Sequence, residues 1–261
     1  MTRKALADLA RTLLTPLLVI APGLLTVVLG VSLGYVPLAA AALILLVMIA
    51  TLLSSIYLSK PLGRLLSLDH VSVKASHITY GLFILFLGVL YGRYTVMMSM
   101  LACLLSYGLY EYLHWSRHED VPFITKTLRL LGSPEEVEER PFPSPIYASL
   151  GILFTSAFFT PQIANAAISV LALGDGFAAL AGRIAGRNPL PVNGRKTIEG
   201  SLTGFFIGAV GCQLFLPIKL ALIGSFAGML IEALPLPLND NLTVPIFSAI
   251  CMTLALGLAS L

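Results

Sequence analysis

The chain is 261 residues long, 57% hydrophobic and only 11% charged, with a mean hydropathy of +0.91. That balance excludes a water-soluble domain and describes an integral membrane protein. A net charge of +3 gives no argument for nucleic acid as a partner, and Cys103, Cys212 and Cys251 lie in apolar runs without disulfide or zinc spacing, so no cofactor follows from them.

The N-terminus is basic at Arg3 and Lys4 and runs into an apolar stretch too long for a cleaved signal and without a small-residue cleavage site. It reads as an amphipathic lead-in to a retained first helix. Apolar windows predict helices over 13–33, 37–58, 77–92, 94–115, 145–161, 163–185, 198–217, 219–238 and 242–261. The expected fold is therefore all-α, a polytopic membrane bundle of about nine transmembrane helices forming one membrane domain over 1–261. Numbering the connections puts every lysine and arginine on one side except Arg93 and Lys219. Cytosolic loops collect Lys and Arg, so the N-terminus is expected in the cytosol and the C-terminus outside.

Between the second and third windows, 62–76 mixes charge with Leu65, Leu66, Leu68, Val71 and Val73 and reads as a segment lying at the cytosolic interface. It ends in Lys74-Ala75-Ser76-His77. A lone histidine opening an apolar helix is ordinarily a packed or interfacial residue; the alternative is a base for chemistry at the membrane surface. Near the end of the fourth window Glu111, His114, Arg117, His118, Glu119 and Asp120 lack metal-ligand spacing and read as a solvated membrane-edge cluster. Ser133-Pro134-Glu135-Glu136 is a helix start, with Ser as N-cap and Pro at the first position, extending to Arg140 as a short polar helix.

The segment Gly174–Phe205 holds the densest chemistry. Asp175 falls inside an apolar run that begins near Ile163, where an ionised carboxylate costs about 2.5–3.5 kcal/mol and persists mainly where it has partners. At helical spacing Asp175, Ala178, Ala179, Gly182, Arg183 and Gly186 share one face. Such a stripe admits close approach by another helix, through small-xxx-small packing, or by a nucleotide. Arg187 to Lys196 carries two prolines and Gly194 and reads as a turn-forming loop, with Thr197 as N-cap of the next helix. Lys196 and Thr197 then sit where free N–H groups and the helix dipole favour phosphate. Glu199 occupies the first turn, where helix-end electrostatics alone would favour an acid. Hard oxygen ligands beside Arg183, Arg187, Arg195 and Lys196 are also what a Mg²⁺-nucleotide site needs. Glu232 lies inside a later apolar segment, and Asp240 follows in a Pro- and Asn-rich turn on the same expected side.

The order Gly174-Asp175-Gly176, Ala179, Gly182-Arg183, Gly186, Lys196-Thr197, Glu199-Gly200-Ser201 resembles the signature of the CTP-dependent lipid kinases: dolichol kinase, phytol kinase and CTP-dependent diacylglycerol kinase, relatives of the phosphatidate cytidylyltransferases. Glu232 followed by Asn239-Asp240-Asn241-Leu242-Thr243 and Pro245 is similar to a second element of that family, with Asn239 in place of an aspartate. Lys74 and His77 match its basic-x-x-His element, with Val73 where arginine is usual.

The resemblance implies a catalytic core over 77–261, with 1–76 supplying N-terminal helices and the interfacial segment, and the transfer of a phosphoryl group from CTP to a membrane lipid alcohol. Expected partners are CTP and that alcohol, first a polyprenol such as dolichol, then diacylglycerol or phytol, with a homodimer left open. Expected roles are Asp175, Lys196, Glu199 and His77 in catalysis. Gly174, Gly182, Arg183, Gly186, Arg187, Arg195, Lys196, Thr197 and Lys74 would bind nucleotide, and Asp175, Glu199, Glu232 and Asp240 would hold Mg²⁺. Competing readings are a cytidylyltransferase making a CDP-lipid and a transporter using Asp175 and Glu232 as an ion path. The expected location is the plasma membrane or endoplasmic reticulum, with the site on the cytosolic face.

Overall fold

A computed structural model describes residues 21–46, 71–117 and 143–259. The N-terminal lead-in, residues 62–70 of the interfacial segment, His118-Glu119-Asp120 and the Ser133–Arg140 helix lie outside the described residues. The elements are α1 (Ala21–Ser32), α2 (38–46), α3 (Val71–Tyr91), α4 (Arg93–Arg117), α5 (Pro143–Phe158), α6 (Pro161–Ala185), a hairpin of β1 (Pro189–Leu190) and β2 (Asn193–Thr197), α7 (Ile198–Gln213), α8 (Ile218–Ala233) and α9 (Asp240–Ala259).

Two features depart from the expected run of regular helices. The loop after α6 forms an antiparallel pair, Pro189 opposite Thr197 and Leu190 opposite Asn193, which turns at Pro191-Val192. Within α6, Val170–Asp175 widens into a π-helical stretch ending at Asp175. Such widened turns re-aim the side chains beyond them and recur at functional sites. The start of α3 is also earlier than expected, since Val71–Ser76 continues the helix that His77 was expected to open.

Among the described residues three helices are long and apolar enough to cross a membrane: Arg93–Leu113, Pro161–Ala185 and Asp240–Leu258. α7 and α8 are 16 residues each, about 24 Å, short of the roughly 30 Å hydrocarbon layer that windows 198–217 and 219–238 were expected to span. Proline sets their ends. Pro217 stops α7 from running on into α8, and Pro235 forces Leu234, the last cap of α8, into an extended conformation (φ −77°, ψ 140°).

The chain divides into two compact units, Met1–Val73 with Met98–Ile146 and Lys74–Met97 with Tyr147–Leu261. In the first, α1 crosses α4 closely, a Cβ at Gly23 falling 2.6 Å from Ser106 Oγ. In the second, α6 is the central helix: 72% of its apolar window is buried, against 39% for that of α9.

Small residues let its neighbours approach. On α3, Gly81 and Gly88 face Ala172 and Asn165, so the two helices run antiparallel. On α7, Gly200, Gly204 and Gly208 face Ala178, Gly174 and Met229, with Cβ positions at Gly204 lying 2.6 Å from Met229 Sδ and 2.7 Å from both Ala178 Cβ and the Gly174 carbonyl. This is small-xxx-small packing, and it brings α7 onto part of the stripe on α6. α8 meets α9 in the same way, Gly224 against Met252 and Gly228 against Ser248.

Polar side chains in these helices are mostly satisfied locally. Thr155 and Thr253 donate to carbonyls one turn back, each at 2.7 Å, and Ser225 donates across to Phe205 O on α7 at 2.7 Å. The outward face of α7, with Leu202, Phe206 and Val210 all exposed, is apolar as contact with lipid requires. All three cysteines are free thiols; Cys212 is buried, while Cys103 and Cys251 are half-buried.

A larger side chain at Gly204 must separate α6 from α7. Gly204→Leu is expected to lower stability by about 2–3 kcal/mol in detergent unfolding, whereas Gly257→Ala, where a Cβ meets nothing within 4 Å, leaves it unchanged or slightly raised.

Candidate functional site

Three separated segments converge at one end of the second unit: the end of the π stretch of α6, the hairpin, and the α8–α9 junction. The Lys196 ammonium, carried by β2, donates to Glu232 Oε1 near the end of α8 and, at 2.8 Å, to Asp240 Oδ2 at the start of α9. Asp175 completes the group: one carboxylate oxygen from each of Asp175, Glu232 and Asp240 lies within 4.8 Å of the others. Asp175 and Glu232 are each 3% exposed; the Lys196 and Asp240 side chains reach solvent. Burial disfavours the charged form of Lys196, but the carboxylates of Glu232, Asp175 and Asp240 outweigh it and hold the ammonium above the ordinary lysine range.

Local sequence explains each placement. α9 begins at Asp240 because Asn239 caps it, its Oδ1 accepting from Asn241 N–H at 3.0 Å. Thr197 caps α7 as expected, its hydroxyl oxygen accepting from Gly200 N–H at 3.2 Å. The same hydroxyl packs against Gly182 and Gly186: a Cβ at either glycine would fall 2.9 Å from it. Gly174, Gly182 and Gly186 thus stand at close backbone crossings with α7 and Thr197.

Glu199 is placed apart from the other acids. Its Oε1 accepts from Asn188 Nδ2 at 2.6 Å and its Oε2 from Asn188 N–H at 3.3 Å, while Ile198 N–H donates to Asn188 O at 2.9 Å. It therefore braces the loop entering the hairpin, and the carboxylate cluster forms without it. Asn188 is a residue that motif reading missed. Its only sequence signal is an asparagine before a proline, too common to single out.

Arg183, in the last turn of α6, Arg187, just before the hairpin, and Arg195, on β2, are exposed, and no ion pair among the described residues engages them. His77 lies beside Ile78, whose side chain packs onto Gly176, next to Asp175. Lys74 lies one turn before Ile78 on α3. Glu111, by contrast, lies on α4 in the other unit.

Comparison with known proteins adds to this geometry. The chain is 28% identical over 130 residues to the CTP-dependent diacylglycerol kinase 1 of Eremothecium gossypii, covering 40% of this chain and 41% of that one. It is 32% identical over 143 residues to a probable chloroplastic phytol kinase 2 of rice, Oryza sativa subsp. japonica, covering 48% and 46%. It is 32% identical over 124 residues to the chloroplastic farnesol kinase of Arabidopsis thaliana, covering 41% and 40%. The match thus spans less than half the length of each of these relatives. No family model matches the chain, and no solved structure matches it. By sequence the chain is similar to these lipid kinases, one of them CTP-dependent by name.

Removing the cation from the cluster strands a buried acid. Lys196→Met is expected to lower stability by about 3 kcal/mol at neutral pH in detergent unfolding, and Glu232→Gln added to that variant to restore much of the loss. Because the folded-state pKa of Lys196 is raised, its contribution is complete below the ordinary lysine pKa and is lost as pH rises through the folded value. The gap between wild type and Lys196→Met should then stay flat from about pH 7 to 9 and close only above the ordinary lysine range.

Proposed function

We propose that the protein is a membrane-embedded kinase that transfers the γ-phosphoryl group of CTP to the hydroxyl of a lipid alcohol. The observation carrying this reading is the convergence of Lys196 with Asp175, Glu232 and Asp240 at one end of the helices, beside the exposed Arg183, Arg187 and Arg195. Phosphoryl transfer asks mainly for positioning and for neutralisation of charge on the phosphate oxygens, and this end of the fold supplies both kinds of group. CTP as donor is supported by the name of the diacylglycerol kinase relative.

In the reaction the lipid oxygen bonds to the γ-phosphorus, the bond from that phosphorus to the β,γ-bridging oxygen breaks, and CDP leaves. The hydroxyl proton passes to a base; His77 and Asp175 are the candidates. Arg183, Arg187, Arg195 and Lys196 hold the phosphates. Mg²⁺ fits the carboxylates. They offer hard oxygen donors from three residues within 4.8 Å of one another, and Glu232 Oε2 is buried with no hydrogen-bond partner. Asp175, Glu232 and Asp240 would hold the ion, which would neutralise charge on the β- and γ-phosphates. Glu199, braced on Asn188, acts by positioning the hairpin.

The phytol and farnesol kinase relatives favour an isoprenoid alcohol as acceptor, a class that includes the polyprenols; diacylglycerol is the competitor named by the third relative. The acceptor enters sideways from the bilayer with its hydroxyl at the site. The positive-inside rule, with Arg93 and Lys219 alone on the opposite side, supports a site facing the cytosol in a multi-pass protein of about nine membrane helices.

Purified protein given CTP labelled in the γ position, with phytol, farnesol, a polyprenol or diacylglycerol, should label the lipid. Asp175→Asn and Lys196→Ala should each lower kcat/KM by about 100-fold or more. Labelled pyrophosphate with an unlabelled CDP-lipid, formed when a phosphorylated lipid replaces the alcohol, would instead identify a cytidylyltransferase, and absence of any nucleotide-dependent product would reject the kinase reading.

A further inference from the structure

Charge and hydrogen bonding in the carboxylate cluster do not balance. Among the described residues three carboxylates gather about the Lys196 ammonium, and two of them, Asp175 and Glu232, are 3% exposed. Lys196 donates to one oxygen of Glu232 and one of Asp240, while Glu232 Oε2 is buried and accepts from nothing. A buried carboxylate oxygen without a donor is a strong local cost, and it marks a place for a positive group that a lysine with fixed partners does not reach. We propose that Lys196 occupies, in the cation-free protein, the position that a divalent cation takes among Asp175, Glu232 and Asp240, and that the cation's arrival releases Lys196 toward the nucleotide phosphates.

The same lysine thereby serves two anionic partners in turn. Before loading, its ammonium keeps the acids from repelling one another and holds the hairpin against the α8–α9 junction. After loading, a dication satisfies the carboxylates with more charge and more coordination positions than an ammonium offers, and two cations sharing the cluster repel. Lys196 is free to respond because its side chain is 28% exposed and hangs on a short strand. Its four-carbon stem can swing the ammonium out by rotamer changes alone. β2 also carries the exposed Arg195, so the released ammonium joins a group already directed outward. The inference rests on the kinase reading for what Lys196 meets after release; the exchange itself is a property of the cluster.

The test uses the full chain in phosphatidylcholine nanodiscs without nucleotide, with Mn²⁺ as the probe read by electron paramagnetic resonance and Mg²⁺ as its competitor. Lys196→Ala removes the resident cation and should bind Mn²⁺ about tenfold more tightly than wild type, and Glu232→Gln should weaken binding. In wild type, saturation with Mg²⁺ should speed acylation of Lys196 several-fold, read by peptide mapping, with the exposed Lys219 at the far end unchanged. Should Lys196→Ala fail to fold, the wild-type labelling decides alone. Equal or weaker Mn²⁺ binding by Lys196→Ala, or Lys196 labelling that stays level or falls on saturation, overturns the exchange, as does an absence of Mn²⁺ binding. Lipid phosphorylation from CTP with unchanged Lys196 labelling would reject the exchange and leave the kinase reading standing. Release of Lys196 by Mg²⁺ without lipid phosphorylation would do the reverse.

Discussion

Two carboxylates at 3% exposure cannot stand ionised among apolar helices unless a positive charge reaches them; among the described residues the Lys196 ammonium bonds Glu232 and acts on Asp175 through its charge. Leaving either acid unpaired would cost several kcal/mol. The bond also closes the fold: the chain leaves α6, makes a hairpin, and is tied by one side chain to the end of α8 and the start of α9. The contact that assembles the site is therefore the contact that fixes three segments to one another.

That bond depends on how near the helices stand. Gly200, Gly204 and Gly208 allow α7 to lie against Gly174, Ala178 and Met229 at distances where any Cβ at Gly204 would clash. Close approach at this crossing holds Thr197 against Gly182 and Gly186 and thus sets where β2 emerges. The small residues act on the carboxylate cluster through helix spacing. The π stretch contributes at the same point, since it ends at Asp175 and sets the direction from which that carboxylate enters the cluster.

Glu199 and Glu232 show how similar sequence arguments part company. Both are acids in apolar surroundings, and both lie near the α6–α7 signature or its sequel. Glu199 sits in the first turn of α7, where the dipole favours it, and both its oxygens are turned to Asn188. Glu232 sits in the last turns of α8, where the dipole disfavours an acid, and it is there because Lys196 reaches it. An acid placed against the local electrostatic preference is the stronger pointer to a site, and in this chain it is the one at the centre of the cluster.

Sequence by itself determined the apolar class, the register of most helices and the Thr197 cap, because hydropathy, helix period and capping are local properties that act within a few residues. The resemblance of Gly174–Ser201 and Glu232–Pro245 to the lipid kinases was legible for the same reason. Tertiary structure alone decided that α7 packs against Gly174, Ala178 and Gly182, that Glu199 binds Asn188, and that Lys196 lies between Glu232 and Asp240, residues 36 and 44 positions away. Such contacts are set by the distance between packed helices, which no local pattern encodes. The hairpin and the π turn escaped for a related reason: each is stabilised by what packs around it more than by the preferences of its own residues.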